Sequence, residues 1–265
     1  MSSNQKIAII GGGNIGMSLA EGMVASEHFK AENIIITRKK SELPANLREG
    51  GFYFQSDNVD AVRKAHIVIF TILPQIMPDI LKEVRNEITN DKIIISVAAG
   101  VKIKTIAEII GKEVPIIRAM PNTAIKIRES MTCIAGNDHA ETYLEEIKSM
   151  FDMVGVTLII EEELIPSATA LGSCGIAFFL RSIRAASQGG TQIGFHAEEA
   201  QLIAAQTAKG AAQLLLLSHS HPEDEIDKVT TPRGITIAGL NEMEHNGFSS
   251  ALIKGIVKSY DKSKK

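Results

Sequence analysis

The chain has 265 residues, 45% hydrophobic and 22% charged, which is enough apolar material for one large domain or about two smaller ones. A net charge of −3 without a long charge run argues against a nucleic-acid partner. Cys133 and Cys174 are too few for a disulfide framework, and no cationic leader precedes the first apolar run, so a cytoplasmic protein with free thiols and no membrane association is expected.

The first element is Ile7-Ala8-Ile9-Ile10, a run that reads as a buried parallel strand. It leads directly into Gly11-Gly12-Gly13-Asn14-Ile15-Gly16, and Met17 to Val24 then reads as a helix. Gly11, Gly13 and Gly16 fit the G-x-G-x-x-G pattern in the strand–turn–helix context that marks a dinucleotide site. Gly11 permits the tight turn, Gly13 lets a pyrophosphate approach bare backbone, and Gly16 lets the helix pack closely on the sheet. The N–H groups at the helix start then face the phosphates.

A second strand, Asn33-Ile34-Ile35-Ile36, ends in Thr37-Arg38-Lys39-Lys40. An NAD site carries an acidic residue about 20 residues past the glycines, bonding the ribose 2′-hydroxyl. Here a threonine and three cations occupy that place, which suits a 2′-phosphate and predicts NADP(H). The plainer alternative is a solvated basic loop.

Further strands are expected at Ile67–Phe70, Ile93–Ser96, Ile116–Ile117, Met131–Ala135 and Val156–Ile160, alternating with helices. Short Ile/Val runs of this kind predict a doubly wound parallel sheet of Rossmann type over residues 1–160. Beyond Glu161 the strands stop. Ala168–Gln188, Ala197–Leu217, Ile235–His245 and Ser249–Tyr260 read as helices, giving an all-helical part over 161–265 that is expected to dimerise, as a homodimer or within a larger oligomer. Within it Leu164–Leu180 carries no charge, yet Pro166 and its Ser/Thr content make it fall short of a membrane span, and it reads as a buried helix.

The strand ends add chemistry. Thr71-Ile72-Leu73-Pro74 and Val97-Ala98-Ala99-Gly100 follow two strands at the edge where open α/β sheets bind ligands, with room for a nicotinamide ring. Arg118-Ala119-Met120-Pro121-Asn122-Thr123 brings polar side chains to the same crevice. His219-x-His221 lacks a third ligand at metal spacing and is followed by Pro222, so it reads as a helix-end loop and no metal site is expected. Cys174 reads as packing, and Glu161-Glu162-Glu163 as an acidic helix start.

These segments resemble pyrroline-5-carboxylate reductase. The resemblance rests on Ile9–Gly16, Leu73-Pro74-Gln75, Ala98-Ala99-Gly100, Met120-Pro121-Asn122-Thr123, Thr169-Ala170-Leu171 and, above all, Val229-Thr230-Thr231-Pro232-Arg233-Gly234-Ile235-Thr236-Ile237-Ala238-Gly239-Leu240 with Gly247-Phe248. It spans nearly the whole chain in order. The chain departs from the family pattern at Leu73, where Lys is usual, across Gly172–Ile176, and at Arg233 and Ile235 within the Pro-Gly-Gly-Thr-Thr segment.

The resemblance implies NADPH-dependent reduction of the cyclic C=N bond of 1-pyrroline-5-carboxylate to L-proline. Thr236 would be catalytic through the ring nitrogen, with Thr231, Gly234, Ile235 and Thr236 holding the small-molecule substrate. The expected cofactor set is Gly11, Gly13, Asn14, Ile15, Gly16, Thr37, Arg38, Lys39, Asn58, Thr71, Leu73, Pro74, Ala98, Ala99 and Asn122. A plainer use for Thr236 is as N-cap of its helix. Alternatives are a non-catalytic NADPH-binding relative with a regulatory role, or a reductase for a related cyclic imine. A β-hydroxyacid dehydrogenase is disfavoured because no lysine occurs between Lys148 and Lys209.

Overall fold

The computed structural model describes residues 5–38, 51–111 and 113–264. The chain forms two compact units, Met1–Ser173 with Tyr260–Lys265, and Cys174–Ser259.

The first unit runs β1 (Ile7–Ile10), α1 (Asn14–Ala25), β2 (Ile34–Thr37), β3 (Tyr53–Gln55), α2 (Asn58–Lys64), β4 (Ile67–Phe70), α3 (Met77–Val84), β5 (Ile93–Ser96) and α4 (Ile103–Ile110). It continues through β6 (Ile116–Met120), β7 (Ser130–Gly136), α5 (Leu144–Asp152), β8 (Gly155–Ile159), α6 (Ile165–Ala168) and a π-helical turn at Thr169–Ser173. The eight strands make one sheet in the order β3-β2-β1-β4-β5-β6-β7-β8.

Every neighbouring pair is parallel except β6–β7, which is antiparallel. The doubly wound parallel sheet expected for this region is present, with one antiparallel pair near its edge. Only a short 3-10 turn, Thr123–Ile127, joins β6 to β7, too little chain for the crossover that a parallel pairing needs. The short edge strand β3 was not anticipated.

The isoleucine runs are buried along their whole length because alternate residues enter two different cores. Ile7, Ile9, Ile34 and Ile36 pack on one face with Leu19, Met23 and Phe151. Ala8, Ile10, Val68 and Phe70 pack on the other with Leu81, Val84 and Ile106. Strand order reverses around β1, which has β2 on one side and β4 on the other, so the crevice at its C-terminal end is the switch point where such sheets bind ligands.

The second unit contains α7 (Gly175–Gln192), α8 (Ala197–Ser218), α9 (Pro222–Lys228), α10 (Ile235–His245) and most of α11 (Phe248–Ser263). α9 was not anticipated. Small residues set the closest approach of α7 and α8: a Cβ on Gly190 would lie 3.0 Å from the Ala200 Cβ. The stretch expected to be a buried helix is neither single nor buried. It divides into α6, the π turn and α7, and Leu164, Leu171, Phe179 and Leu180 are exposed in the single chain. The longer run Glu162–Gln192 has, by length and composition alone, what a membrane-crossing helix needs. Pro166, the π turn, Arg181 and Arg184 interrupt its apolar surface.

Candidate functional site

The glycine turn after β1 has the geometry its sequence requires. Gly11 sits at φ +111, and a Cβ there would meet Ile72 at 2.7 Å. A Cβ on Gly16 would stand 2.3 Å from the Gly11 carbonyl oxygen and 2.6 Å from Thr71 Oγ1. Gly13 differs, because a Cβ there would meet no atom within 4 Å. Gly11 and Gly16 are thus needed by the fold, whereas Gly13 borders open space where a phosphate fits. The N–H groups of Asn14, Ile15 and Gly16 form the first turn of α1 and have no carbonyl four residues back within the helix.

Two contacts fix this turn to its neighbours. The Gly11 and Gly12 N–H groups both donate to the Thr37 carbonyl, at 3.3 and 2.7 Å. The Thr71 hydroxyl donates to the Gly11 carbonyl at 2.6 Å. Arg38 follows Thr37, and its N–H donates to the Gln55 carbonyl at 3.1 Å, so β3 anchors it. The resulting cleft, about 330 Å³, is lined by Ile10, Gly11, Gly12, Gly13, Thr37, Arg38, Ser56, Asn58, Ile72, Ile76 and Ile80. Its polar rim of Arg38, Ser56 and Asn58 beside an apolar wall of isoleucines suits a dinucleotide with a 2′-phosphate.

The structure thus brings Gly11, Gly13, Thr37, Arg38 and Asn58 to one cleft, with Thr71 beneath it holding the glycine turn. Lys39 lies outside the described residues. Ser56 was missed by sequence reasoning; a lone serine carries no pattern, and only its position two residues before Asn58 marks it. Asn58 also donates to the Glu83 carboxylate at 3.3 Å.

On the neighbouring strand ends, Leu73 is exposed and Pro74 partly so. Ala98 is buried in the core and its N–H donates to the Ser96 hydroxyl oxygen at 3.3 Å, whereas Ala99 is exposed. Asn122 is buried and already engaged. Its side-chain oxygen accepts the Ala124 N–H at 3.0 Å and its amide donates to the Gly172 carbonyl at 3.2 Å.

Arg118 does not face the crevice as expected. It is 5% exposed and pairs with Glu162 at 2.9 Å. Glu162 also accepts the Ile103 N–H at 2.8 Å, so the carboxylate caps α4 from outside. The acidic run is a helix start as expected, opening the 3-10 turn Glu162–Leu164 that leads into α6, and Glu162 caps α4 in addition. Cys133 and Cys174 are both half-buried and free, and burial pushes the Cys133 thiol above its ordinary value.

In the second unit, Thr231-Pro232-Arg233-Gly234 forms a β-turn closed by the Gly234 N–H donating to the Thr231 carbonyl at 2.8 Å. Arg233 holds φ +60 there, a left-handed conformation that glycine adopts more readily. Gly234 itself is required, since a Cβ would lie 2.5 Å from Thr231 Oγ1. Gly234 is the N-cap of α10 and no side chain caps the helix, so Thr236, in the first turn, is not used as a cap. Thr231, Ile235 and Thr236 are exposed in this unit, with Ile235 at 94%. His219 ends α8 in the left-handed conformation, and His221 caps α9 by accepting the Glu223 N–H at 3.2 Å, as a helix-end loop should.

Comparison with known proteins agrees with both units. Residues 162–265 match the family described as pyrroline-5-carboxylate reductase dimerisation, and residues 6–100 match NADP oxidoreductase coenzyme F420-dependent. The chain is 50% identical to pyrroline-5-carboxylate reductase 2 of Dictyostelium discoideum over 281 residues, covering all of this chain and 94% of that protein. It is also 50% identical to reductase 1 of the same organism over 269 residues, 97% of this chain, and spans 49% of that protein's length. Among solved structures, pyrroline carboxylate reductase of Plasmodium falciparum with NADP bound superposes with a TM-score of 0.90 at 25% identity, over 100% of this chain and 98% of that one.

Proposed function

The chain belongs to the pyrroline-5-carboxylate reductase family, and from that membership we propose that it reduces 1-pyrroline-5-carboxylate to L-proline with NADPH. The observation that carries this reading is the 50% identity over the full chain to a protein of that name, joined to a glycine turn whose Gly13 opens onto free space. The reductase acts in proline biosynthesis, in the cytoplasm, as a homodimer or larger assembly joined through the helical part. Residues 1–160 hold the cofactor, and 161–265 supply the substrate residues and the subunit contact.

When bound, NADPH supplies the hydride. The cofactor residues orient it: the first turn of α1 and Gly13 receive the pyrophosphate, while Arg38 with Thr37 and Lys39 take the 2′-phosphate. Asn58, Leu73, Pro74, Ala98, Ala99 and Asn122 complete that set, with Thr71 holding the turn.

The substrate is a cyclic imine bearing a carboxylate. Hydride adds to the carbon of the C=N bond, the π electron pair moves onto nitrogen, and a proton on that nitrogen completes the amine. A hydrogen bond between the Thr236 hydroxyl and the ring nitrogen keeps the imine aligned, and alignment is the main contribution a protein makes to such a transfer. The N–H groups of Ile235 and Thr236 start α10, and with the Thr231 hydroxyl they receive the carboxylate, while Gly234 shapes the turn that presents them.

The test is loss of NADPH absorbance on adding 1-pyrroline-5-carboxylate, with proline identified as product. Turnover with proline formed supports the reading. No oxidation of NADPH with this or any related cyclic imine overturns it.

A further inference from the structure

Asn122 lies two residues past the end of β6, and β6 runs parallel to β5, which is parallel to β4 and through it to β1. Asn122 therefore stands at the same sheet edge as Gly11, Thr71 and Ala98, which follow those strands. In the strand order β2-β1-β4-β5-β6, Arg38 is at one end of this edge and Asn122 at the other. A dinucleotide with its 2′-phosphate at Arg38 and its pyrophosphate at the glycine turn extends along the edge, so its nicotinamide end lies on the Asn122 side.

The Asn122 side chain is held inside the protein and is only 8% exposed. Its oxygen accepts the Ala124 N–H at 3.0 Å, which caps the 3-10 turn Thr123–Ile127. Its backbone N–H donates to Ser130 Oγ at 3.1 Å, and Ser130 shares a further hydrogen bond with Thr132 Oγ1 at 3.1 Å. Ser130 and Thr132 are both buried. The Asn122 amide then donates to the Gly172 carbonyl at 3.2 Å, across 50 residues of chain. A buried polar network connected in this way specifies one geometry.

Gly172 belongs to the π turn Thr169–Ser173, the last stretch of the first unit before the chain enters the second. π turns are rare and frequently occur at functional sites. A second contact places this one at the same edge. A Cβ on Gly172 would lie 3.8 Å from Met131 Cγ, and Met131 is the second residue of β7, which runs antiparallel to β6 and so begins where β6 ends. Two separate contacts thus hold the π turn beside the end of β6, on the side toward which the nicotinamide extends.

We propose that Asn122 is a positioning residue for hydride transfer: through Gly172 it holds the π turn as a wall for the nicotinamide end of the cofactor. It serves the cofactor set from behind that wall, without touching the cofactor. The proposal rests on the reading of the chain as an NADPH-dependent reductase. It separates affinity from turnover. Affinity comes mainly from the phosphate contacts at the glycine turn and Arg38, whereas hydride transfer depends on ring placement, where a misplacement of about 1 Å costs on the order of 10²-fold.

The experiment measures kcat and, separately, the NADPH dissociation constant for Asn122→Ser and Asn122→Asp. Both replacements keep an oxygen that can cap the Thr123–Ile127 turn, but neither donates to Gly172: the serine side chain ends one atom earlier, and the carboxylate has no proton. Turnover should fall at least about tenfold in both, with NADPH affinity within about threefold of wild type. Ser130→Ala is the control, since it removes a neighbouring bond of the same network and leaves the Gly172 contact in place. It should lose stability and keep its turnover. NADPH affinity that falls in step with turnover makes Asn122 a direct cofactor ligand and overturns the proposal. Turnover in the Asn122 variants no lower than in Ser130→Ala also overturns it.

A measurement on the wild-type protein needs no variant to fold. Amide hydrogen exchange across Ala170–Ser173 should slow at least about threefold on adding NADPH, because the bound cofactor covers the wall. Exchange there unchanged by NADPH, while the glycine turn becomes protected, overturns the proposal. A wild-type protein that binds NADPH but oxidises it with no cyclic imine overturns the reading of the reaction, and the exchange result still decides the wall. Absence of NADPH binding overturns both.

Discussion

The Arg118 guanidinium and the Glu162 carboxylate meet at 2.9 Å, and the same carboxylate oxygen receives the Ile103 N–H. One acidic side chain therefore neutralises a buried cation on β6 and closes the first turn of α4, directly after the Ala98–Gly100 loop. Glu162→Ala leaves both partners unmet and should lower stability by about 3 kcal/mol, the low end for breaking a buried pair. Glu162→Gln keeps an acceptor for Ile103 and should lose less. Urea unfolding of the two variants checks the order; equal losses would show that the cap on α4 contributes nothing.

The three glycines of the turn should separate by readout. Gly11→Ala forces a positive φ and a clash with Ile72, and should destabilise by about 2 kcal/mol. Gly16→Ala drives a methyl group against the Gly11 carbonyl and should also destabilise. Gly13→Ala meets open space, so its stability should stay within about 0.5 kcal/mol of wild type. Its NADPH affinity should nevertheless fall at least about tenfold, because the methyl occupies the place of a phosphate. Unfolding midpoints with fluorescence titration of NADPH decide the case.

Arg38 should separate the two nicotinamide cofactors. A charge-assisted bond to the 2′-phosphate contributes about 1.5–3 kcal/mol, so Arg38→Ala should weaken NADPH by one to two decades. NADH should barely change. Equal losses for both cofactors in calorimetry would count against the 2′-phosphate role.

Thr236 is exposed at the start of α10 and is not its cap, so its hydroxyl is available for the substrate. Thr236→Val keeps the volume and removes the hydroxyl, and should cut turnover on the order of 10²-fold with NADPH affinity unchanged. Thr236→Ser should restore most of the rate. Steady-state kinetics that leave Thr236→Val at wild-type turnover would remove Thr236 from the mechanism.

Lys92 gives stability an alkaline dependence. Its ammonium donates to the Ala65 carbonyl at 2.5 Å and the Arg63 carbonyl at 3.3 Å. Burial pushes it below its ordinary value of 10.5, opposed by Asp91 and Glu87. Between the lowered folded value and 10.5 the unfolded chain holds more protons, so this residue's contribution to stability rises with pH across that window. Denaturation of wild type and Lys92→Met at successive pH values should show the difference shifting in favour of wild type toward 10.5. A constant difference would refute the linkage.

Most of the cofactor unit was legible because four-residue isoleucine runs have few other uses, and because Gly11, Gly13 and Gly16 stand directly after one. β3 was illegible for the converse reason: Tyr53-Phe54-Gln55 is too short and too mixed to show a period, yet it anchors Arg38. Arg118 follows a strand and so points by sequence to the crevice, but its partner Glu162 is 44 residues away and no spacing rule links them. The exposure of Leu164, Leu171, Phe179 and Leu180 is not legible in sequence, because apolar composition alone does not tell a covered face from an open one. The antiparallel turn from β6 to β7 escaped because strand composition carries no direction.

The first unit is not finished when its last strand is. Residues 260–265 belong to it although the whole second unit intervenes, and the Ser263 hydroxyl reaches the Pro166 carbonyl at 3.3 Å across 97 residues of chain. During synthesis the sheet can assemble early, as N-terminal units do, but the contact at Pro166 must wait until the helices have been made. Closing so long a loop carries an entropic cost that grows only slowly with length, so the delay is set by the order of translation more than by energetics. A nascent chain released before Tyr260 would therefore present a complete glycine turn on an incompletely closed unit, and cofactor capture would precede completion of the fold.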